Sequence, residues 1–214
     1  MPSHQRVIRE LVAAQGRTYA QEAGIRLTNT PQPLYRTLVL ACLLSAPMRS
    51  SVAVRTARAL ADAGLRDPRS MLAASWQQRV DALREGGYRR YDERTATQLG
   101  DGALLVLDEW DGDLRQLRRS ADGDTRRLRR ELQRVPGLGP TGADIFLREV
   151  QRVWPEVAPY LDAKVMQGAR RLGLPEDRAE LSRLAEDEEP AAFTTALVRA
   201  ARDRRVAEEA LQAA

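Results

Sequence analysis

The segment Pro136-Gly137-Leu138-Gly139-Pro140 constrains the fold of this chain more than any other stretch. Residues 125–134, rich in arginine and leucine, precede it with helical spacing, and a second helical pattern begins directly after it. A short run of alternating glycine and proline between two helical patterns predicts a tight hairpin. Gly139 suits an N-cap and Pro140 suits the first helical position. The chain must therefore bring two consecutive helices close together here.

The remainder of the chain also has a helical composition. Alanine, leucine, arginine and glutamate dominate, aromatic residues amount to 5%, and the runs of valine, isoleucine and threonine that are typical of strands are missing. Helical spacing recurs along the whole chain, and residues 34–46 are apolar almost all round, which predicts a central buried helix. We expect an all-α fold.

Several classes of protein are excluded by composition. The longest apolar run, residues 38–46, is too short to span a bilayer, and the N-terminus lacks the pattern of a signal peptide, so we expect a cytoplasmic protein. The single cysteine, Cys42, lies in that apolar run and is predicted to be buried. One cysteine cannot ligate an iron–sulfur cluster, and the single histidine, His4, argues against a histidine metal site or a serine-histidine-aspartate triad.

The basic residues favour a nucleic-acid partner. The net charge is +4, and all but one of the 34 basic residues are arginine; the exception is Lys164. Arginine binds phosphate in a bidentate manner, which fits nucleic-acid binding. A GC-rich genome would produce the same arginine bias, so both explanations of the composition stay open at this point.

The hairpin suits a phosphate group. Gly137 and Gly139 permit positive φ angles and close approach of an anion, and the dipole of the following helix favours negative charge at its N-terminus. The backbone amides expected to point outward there are those of Gly139, Thr141 and Gly142. The outer face of the preceding helix carries Arg127 and Arg130, which are predicted to contact phosphates. The negative charge of Asp144, in the first turn of the second helix, disfavours an anion at this position.

Four segments, in this order, carry a resemblance to a known family. They are residues 34–46, ending Leu-Leu-Ser-Ala; residues 86–96, beginning Gly-Gly-Tyr; residues 135–143, VPGLGPTGA; and residues 161–172, LDAKVMQGARRL. Together they resemble the helix-hairpin-helix DNA glycosylase superfamily, most closely its endonuclease III branch, over roughly residues 27–175. Iron–sulfur cysteines near the C-terminus, found in many members, are absent from this sequence.

The resemblance implies an all-α, two-lobed fold with a cleft between the lobes. A helical barrel domain would occupy residues 34–157 and contain the hairpin, and a second lobe would combine residues 1–33 and 158–214. It also implies a base-excision repair enzyme that flips a damaged or mispaired base out of double-stranded DNA and hydrolyses its N-glycosidic bond. Such a protein would act as a monomer associated with the nucleoid.

The resemblance also implies roles for individual residues. Asp162 matches the family's catalytic aspartate, which stabilises the oxocarbenium-like sugar; the same residue is a candidate N-cap for the helix that follows. The backbone carbonyls of Val135, Gly137 and Leu138 match those that hold a monovalent cation in this family. No other cofactor is expected.

Two departures from the family pattern concern chemistry. Thr141 stands where bifunctional members carry a nucleophilic lysine, and a hydroxyl cannot form the Schiff base that lyase chemistry needs. A monofunctional glycosylase is therefore expected. Lys164 follows Asp162 by two residues and is predicted to contact phosphate, with a displaced nucleophile and a solvated side chain as alternatives.

Further departures concern the residues that probe DNA. Pro47 and Gly87 occupy the positions of the family's inserted glutamine and leucine, and Met48 and Tyr88 are the candidate apolar wedges in their place. These departures, with Thr141, favour an alternative: a non-catalytic helix-hairpin-helix protein that binds DNA. A third alternative is a protein in which the helices serve protein contacts only.

Overall fold

The structure, a computed structural model, describes residues 3–214 and confirms the all-α prediction, because no strand occurs within that range. The helices are α1 (His4–Gln15), α2 (Tyr19–Glu22), α3 (Pro31–Ser45), α4 (Ser50–Asp62), α5 (Pro68–Ala73), α6 (Trp76–Glu85), α7 (Asp92–Trp110), α8 (Leu114–Ala121), α9 (Thr125–Leu132), α10 (Gly139–Val150), α11 (Ala163–Arg171), α12 (Arg178–Leu184), α13 (Pro190–Arg202) and α14 (Arg204–Ala213), with a 3₁₀ turn at Pro155–Val157. None of the helices in this range combines the length and the hydropathy that a membrane crossing requires.

The chain forms two compact units. One comprises Tyr19–Leu147, and the other comprises the described residues up to Thr18 together with Arg148–Ala214. The sequence predicts domain boundaries at residues 33/34 and 157/158, whereas the two units are divided at residues 18/19 and 147/148. Helix α2 packs on α3 and α4, which places it with the first unit. Gln151 is hydrogen-bonded to Tyr160 and Thr194, which places the end of α10 with the second.

Helix α3 is the centre of the Tyr19–Leu147 unit, as its apolar sequence predicts. All side chains of residues 37–44 are buried, as is that of Leu34 in the first turn. The buried Thr37 hydroxyl donates to the carbonyl of Pro33, so that its polar group is satisfied inside the core. Cys42 is buried as predicted, and burial raises the pKa of its thiol to about 12. The helix ends at Ser45, beside the hairpin.

A buried arginine fixes the position of α7, which forms one wall of the site described below. The Arg79 guanidinium donates to the carbonyls of Met71, Ala74 and Ala96, at 3.0, 2.7 and 2.9 Å. A Cβ atom at Gly100 would lie 2.9 Å from the Arg79 Nη2 atom, so the absence of a side chain there makes room for the guanidinium. Arg79 thereby ties α5 and α6 to α7.

The second unit packs around α13. Phe193 and Leu197 of that helix lie in one apolar cluster with Ile8 and Leu11 of α1 and Val165 of α11. Helices α11 and α13 approach so closely that a Cβ atom at Gly168 would lie 2.0 Å from the carbonyl oxygen of Leu197. This close packing on α13 positions α11, the helix that Asp162 caps.

Candidate nucleic-acid interface

The hairpin between α9 and α10 has the backbone conformation that its glycines predict. Gly137 has φ +83° and Gly139 has φ +56°, both in the left-handed region. A Cβ atom at Gly137 would also lie 2.9 Å from the Gln98 Oε1 atom, whereas open space surrounds the same position at Gly139. Gly137 is therefore required by conformation and by space, and Gly139 by conformation alone.

The first turn of α10 offers two outward amides rather than the three expected. The Gly142 N–H donates to the Leu138 carbonyl at 2.9 Å, whereas the amides of Gly139 and Thr141 have no acceptor within residues 3–214. Gly142 is buried, and a Cβ atom there would lie 2.9 Å from the Cδ1 atom of Leu138. The expected DNA contact at Gly142 is therefore corrected, because its amide is used within the protein.

The arginines of α9 have different surroundings. Arg129 forms an ion pair with Asp144 at 2.6 Å, which offsets the negative charge that the sequence places near the hairpin. Arg127 and Arg130 are exposed, and their side chains have no ion-pair partner in the described range. These two guanidinium groups are therefore free of intramolecular ion pairs, and their contact with a phosphate backbone stays a prediction.

Two of the carbonyls expected to hold a monovalent cation each accept one hydrogen bond: Val135 accepts from the Leu138 N–H at 3.1 Å, and Leu138 from the Gly142 N–H at 2.9 Å. The Gly137 carbonyl lies 3.4 Å from the Ser45 hydroxyl, which is closer to the Cys42 carbonyl, at 2.7 Å. A carbonyl oxygen has a second lone pair, so these atoms fit such a cation in donor type. Within residues 3–214 no cluster of three histidine, cysteine, aspartate or glutamate side chains could hold a metal ion.

The two candidate wedges differ in exposure. Tyr88 is 2% exposed, its hydroxyl pairs with Thr95, and burial raises its pKa. The expectation that Tyr88 inserts into DNA is therefore corrected, because its ring would have to leave the core of its unit. Met48 lies half-buried in the loop between α3 and α4, with its amide bonded to the Ala46 carbonyl. Its role as a wedge stays a prediction.

Asp162 is the N-cap of α11. Its Oδ1 atom accepts from the backbone amides of Lys164 and Val165, at 2.7 and 3.0 Å. Its Oδ2 atom accepts from the Arg148 guanidinium, and the side chains of both residues are 9% exposed. The Lys164 ammonium donates to the Gln167 side chain at 2.9 Å and lies in solvent. The carboxylate is thus positioned, ion-paired and largely shielded from water.

The residues that position Asp162 were not predicted from the sequence. Arg148 is one of two buried charged residues at the end of α10, and a buried arginine is a signal that a carboxylate lies nearby. Gln151 is also buried. Its amide donates to the Arg148 carbonyl and to the Thr194 hydroxyl, both at 2.9 Å, and its oxygen accepts from the Tyr160 amide at 2.6 Å. Gln151 therefore fixes the segment that leads into Asp162.

A pocket of about 660 Å³ lies beside the hairpin, entirely within the Tyr19–Leu147 unit. Its walls are the end of α3 with the loop that follows, one side of α7, and the hairpin itself. Tyr91, Arg94 and Gln98 line it, and none of these three residues was singled out from the sequence. Their chemistry, an aromatic ring, a guanidinium and an amide, is that of a nucleic-acid contact surface.

Comparisons with known proteins show the fold. No protein-family model and no curated protein matches this chain. The structure is similar to a solved structure of a trapped covalent intermediate of endonuclease III with DNA, an estranged-adenine complex, over 92% of this chain and 85% of that one. The TM-score is 0.50 and the sequence identity is 18%. The chain therefore has an all-α fold similar to that of endonuclease III, as the sequence resemblance implies.

Proposed function

We propose that this protein binds double-stranded DNA through the hairpin and acts as a monofunctional DNA glycosylase in base-excision repair. The observation that carries the proposal is the hairpin: two backbone amides at the N-terminus of α10 have no acceptor among residues 3–214, and the preceding helix α9 carries two exposed arginines with no ion-pair partner in that range. A solved structure with the same fold contains endonuclease III joined to DNA. The protein would act as a monomer, without an iron–sulfur cluster and with a monovalent cation held by the hairpin carbonyls.

DNA binding would follow from the electrostatics of the hairpin. The amides of Gly139 and Thr141 would donate to a phosphate oxygen, and the helix dipole would favour the anion. Arg127 and Arg130 would contact the neighbouring phosphates of the same backbone. These contacts carry no sequence information, so they would hold any duplex and leave selection to other residues.

Glycosidic hydrolysis would rely on Asp162. A carboxylate near the sugar stabilises the positive charge that develops as the bond to the base breaks, and water completes the hydrolysis. Thr141 cannot replace a lysine nucleophile, so no lyase step follows. Arg148 offsets the charge of the Asp162 carboxylate in the structure described here. Catalysis would therefore require Arg148 to release Oδ2 when DNA is bound.

A second candidate function is DNA binding without catalysis. One observation favours it: both oxygens of the Asp162 carboxylate already accept hydrogen bonds, and the side chain is 9% exposed. A carboxylate with these partners has a complete structural role as a helix cap and as half of a buried ion pair.

The binding step is tested by the salt dependence of affinity for a short duplex. Arg127→Glu should weaken binding to every sequence and lower the slope of log K against log salt by about 1. Arg183→Glu makes the same charge change on an exposed residue of α12 and serves as the matched control. If both variants lose affinity equally, or neither does, the hairpin is not the DNA contact.

The chemical step is tested by single-turnover assays on a panel of duplexes with damaged or mismatched bases. Base release that disappears in Asp162→Asn, in a variant whose circular dichroism shows that it is folded under the assay conditions, supports the glycosylase. Base release that survives in Asp162→Asn contradicts the assigned mechanism. Tight DNA binding without base release from any duplex supports the second candidate.

A further inference from the structure

Exposed hydrophobic side chains occur on three neighbouring helices of the Tyr19–Leu147 unit. Four large hydrophobic side chains among residues 3–214 are exposed, and three of them belong to α5, α6 and α7: Leu72 at 40%, Trp76 at 42% and Leu104 at 46%. Single exposed hydrophobic residues are ordinary on a protein surface, whereas a contiguous group indicates a site of interaction. Such a group exists here if the three residues lie near one another.

The Arg79 guanidinium brings these parts of the three helices together, because it ties the end of α5 to the middle of α7. Leu72 lies at that end of α5, and Trp76 begins α6 after a break of two residues. Leu104 lies one turn further along α7 than Gly100, which adjoins the guanidinium. The three exposed side chains therefore lie at one junction of helices.

The Trp76 ring is held in place by the protein itself. Its indole N–H donates to the Thr97 hydroxyl of α7 at 3.1 Å, and that hydroxyl donates to the carbonyl of Glu93 at 3.2 Å. An exposed side chain that is already fixed loses little conformational entropy when a partner binds, and tryptophan is among the residues that contribute most to protein interfaces. Trp76 therefore has the properties of an anchor for a bound protein.

The charge of α7 indicates what kind of partner fits. This helix contains five acidic residues and one arginine, and three of the acidic residues form ion pairs with arginines outside the helix. The other two, Asp101 and Asp108, are exposed and have no ion-pair partner within residues 3–214. They stand three residues before and four residues after Leu104, so they lie on its side of the helix. The partner must therefore carry apolar side chains together with positive charge, and a phosphate backbone would be repelled.

This face of α7 is turned away from the hairpin. Gln98 of the same helix lies against Gly137, and Leu104 follows Gln98 by six residues. At 3.6 residues per turn, the side chains of Gln98 and Leu104 point about 120° apart around the helix axis. DNA held at the hairpin would therefore leave the face around Leu104 free.

We infer that this face is a docking surface for a partner protein that presents a basic amphipathic helix; the surface consists of Leu72, Trp76, Asp101, Leu104 and Asp108. The apolar side of such a helix covers the three hydrophobic side chains, and its lysine or arginine residues pair with the two carboxylates. The inference goes beyond the proposed function, because these five residues take no part in the DNA contact.

The test uses two model peptides, each about 18 residues long, which is about five turns of helix. Both carry leucine at helical spacing, and the remaining positions are lysine in one peptide and glutamate in the other. Fluorescence anisotropy of the labelled peptides measures their binding to the protein. The leucine–lysine peptide should bind at least about tenfold more tightly than the leucine–glutamate peptide, and added salt should reduce this difference.

Substitutions in the protein locate the bound peptide. Trp76→Ala should weaken binding of the leucine–lysine peptide by about tenfold or more, the loss typical of a tryptophan at the centre of an interface. Leu104→Ala and Asp101→Lys should each weaken it several-fold. Leu211→Ala and Glu209→Lys make the same kinds of change at exposed residues of α14, and these matched controls should bind the peptide as wild type does.

Tryptophan fluorescence provides a direct readout of the contact. Trp110 and Trp154 are buried, so quenching by acrylamide in the free protein reports mainly Trp76. The bound leucine–lysine peptide should reduce this quenching and shift the emission to shorter wavelength. Neither change should occur in Trp76→Phe.

Several results would overturn the docking surface: no binding of the leucine–lysine peptide, equal binding of both peptides, or binding that Trp76→Ala and Leu104→Ala leave unchanged. Sedimentation of the wild-type protein as a dimer that Trp76→Ala converts to a monomer would also overturn it, because a second copy of the chain would then cover the face. Affinity for a DNA duplex should be the same in Trp76→Ala as in wild type. Failure of the wild-type protein to bind any duplex overturns the proposed function and leaves the docking surface standing.

Discussion

The ion pair between Arg148 and Asp162 gives the sharpest prediction about the architecture of the site. Arg148→Met keeps the length and apolar volume of the side chain but removes the charge, so the Asp162 carboxylate keeps only its helix-cap hydrogen bonds. Both side chains are 9% exposed, so little solvent is available to replace the lost partner. Removing one member of a buried pair typically costs about 3–5 kcal/mol, because the other charge is left uncompensated.

A substitution at the other member of the pair, Asp162→Asn, provides the second single variant of a double-mutant cycle. Asp162→Asn leaves the Arg148 guanidinium unpaired but keeps an oxygen that can accept from the amides of Lys164 and Val165, since asparagine is as good an N-cap as aspartate. We therefore expect a loss similar to that of Arg148→Met. The double variant leaves no unpaired charge, so it should be more stable than the sum of the single losses predicts, by up to about 3 kcal/mol.

Urea unfolding followed by far-UV circular dichroism measures all four proteins. If the free energy of unfolding falls by less than about 1 kcal/mol in both single variants, the ion pair contributes no more stability than an ion pair on the surface. Strictly additive losses would show that the two side chains do not interact. Either result would refute the argument that Arg148 holds the Asp162 carboxylate.

Two further predictions concern packing and acid stability. Gly168→Ala should destabilise the protein by about 3 kcal/mol or more, because the added methyl group meets the backbone of Leu197 rather than a movable side chain. An unchanged midpoint of thermal unfolding in this variant would contradict the close packing of α11 on α13. The hydrogen bond from the Arg84 guanidinium lowers the pKa of the Asp92 carboxyl in the folded protein. This ion pair therefore contributes its full stability above pH 3.8, the ordinary pKa of the carboxyl, and the contribution is lost as the pH falls through the lower pKa of the folded state. The stability difference between wild type and Arg84→Met should accordingly shrink on acidification; a difference that stays constant below pH 3.8 would refute the assignment.

Features that depend on local backbone preference could be predicted from the sequence. The all-round apolar character of α3 identified the central helix, and the glycines and prolines of residues 136–140 identified the hairpin. Asp162 was recognised as a candidate N-cap for the same reason, because a cap uses amides only two and three residues further along the chain. The order of the four motifs then indicated the fold, which the likeness to the endonuclease III complex supports.

Features that depend on which side chains meet across helices could not be predicted in this way. Arg148 lies 14 residues before Asp162, and only the path of the chain between them brings the two together. Tyr88 is buried because neighbouring elements of its unit occupy the space around its ring. The pocket has the same origin, since α3, α7 and the hairpin each contribute one wall. Sequence alone therefore determined the helices and the hairpin, through short-range backbone preferences, whereas tertiary packing decided which polar groups are satisfied and which face a ligand.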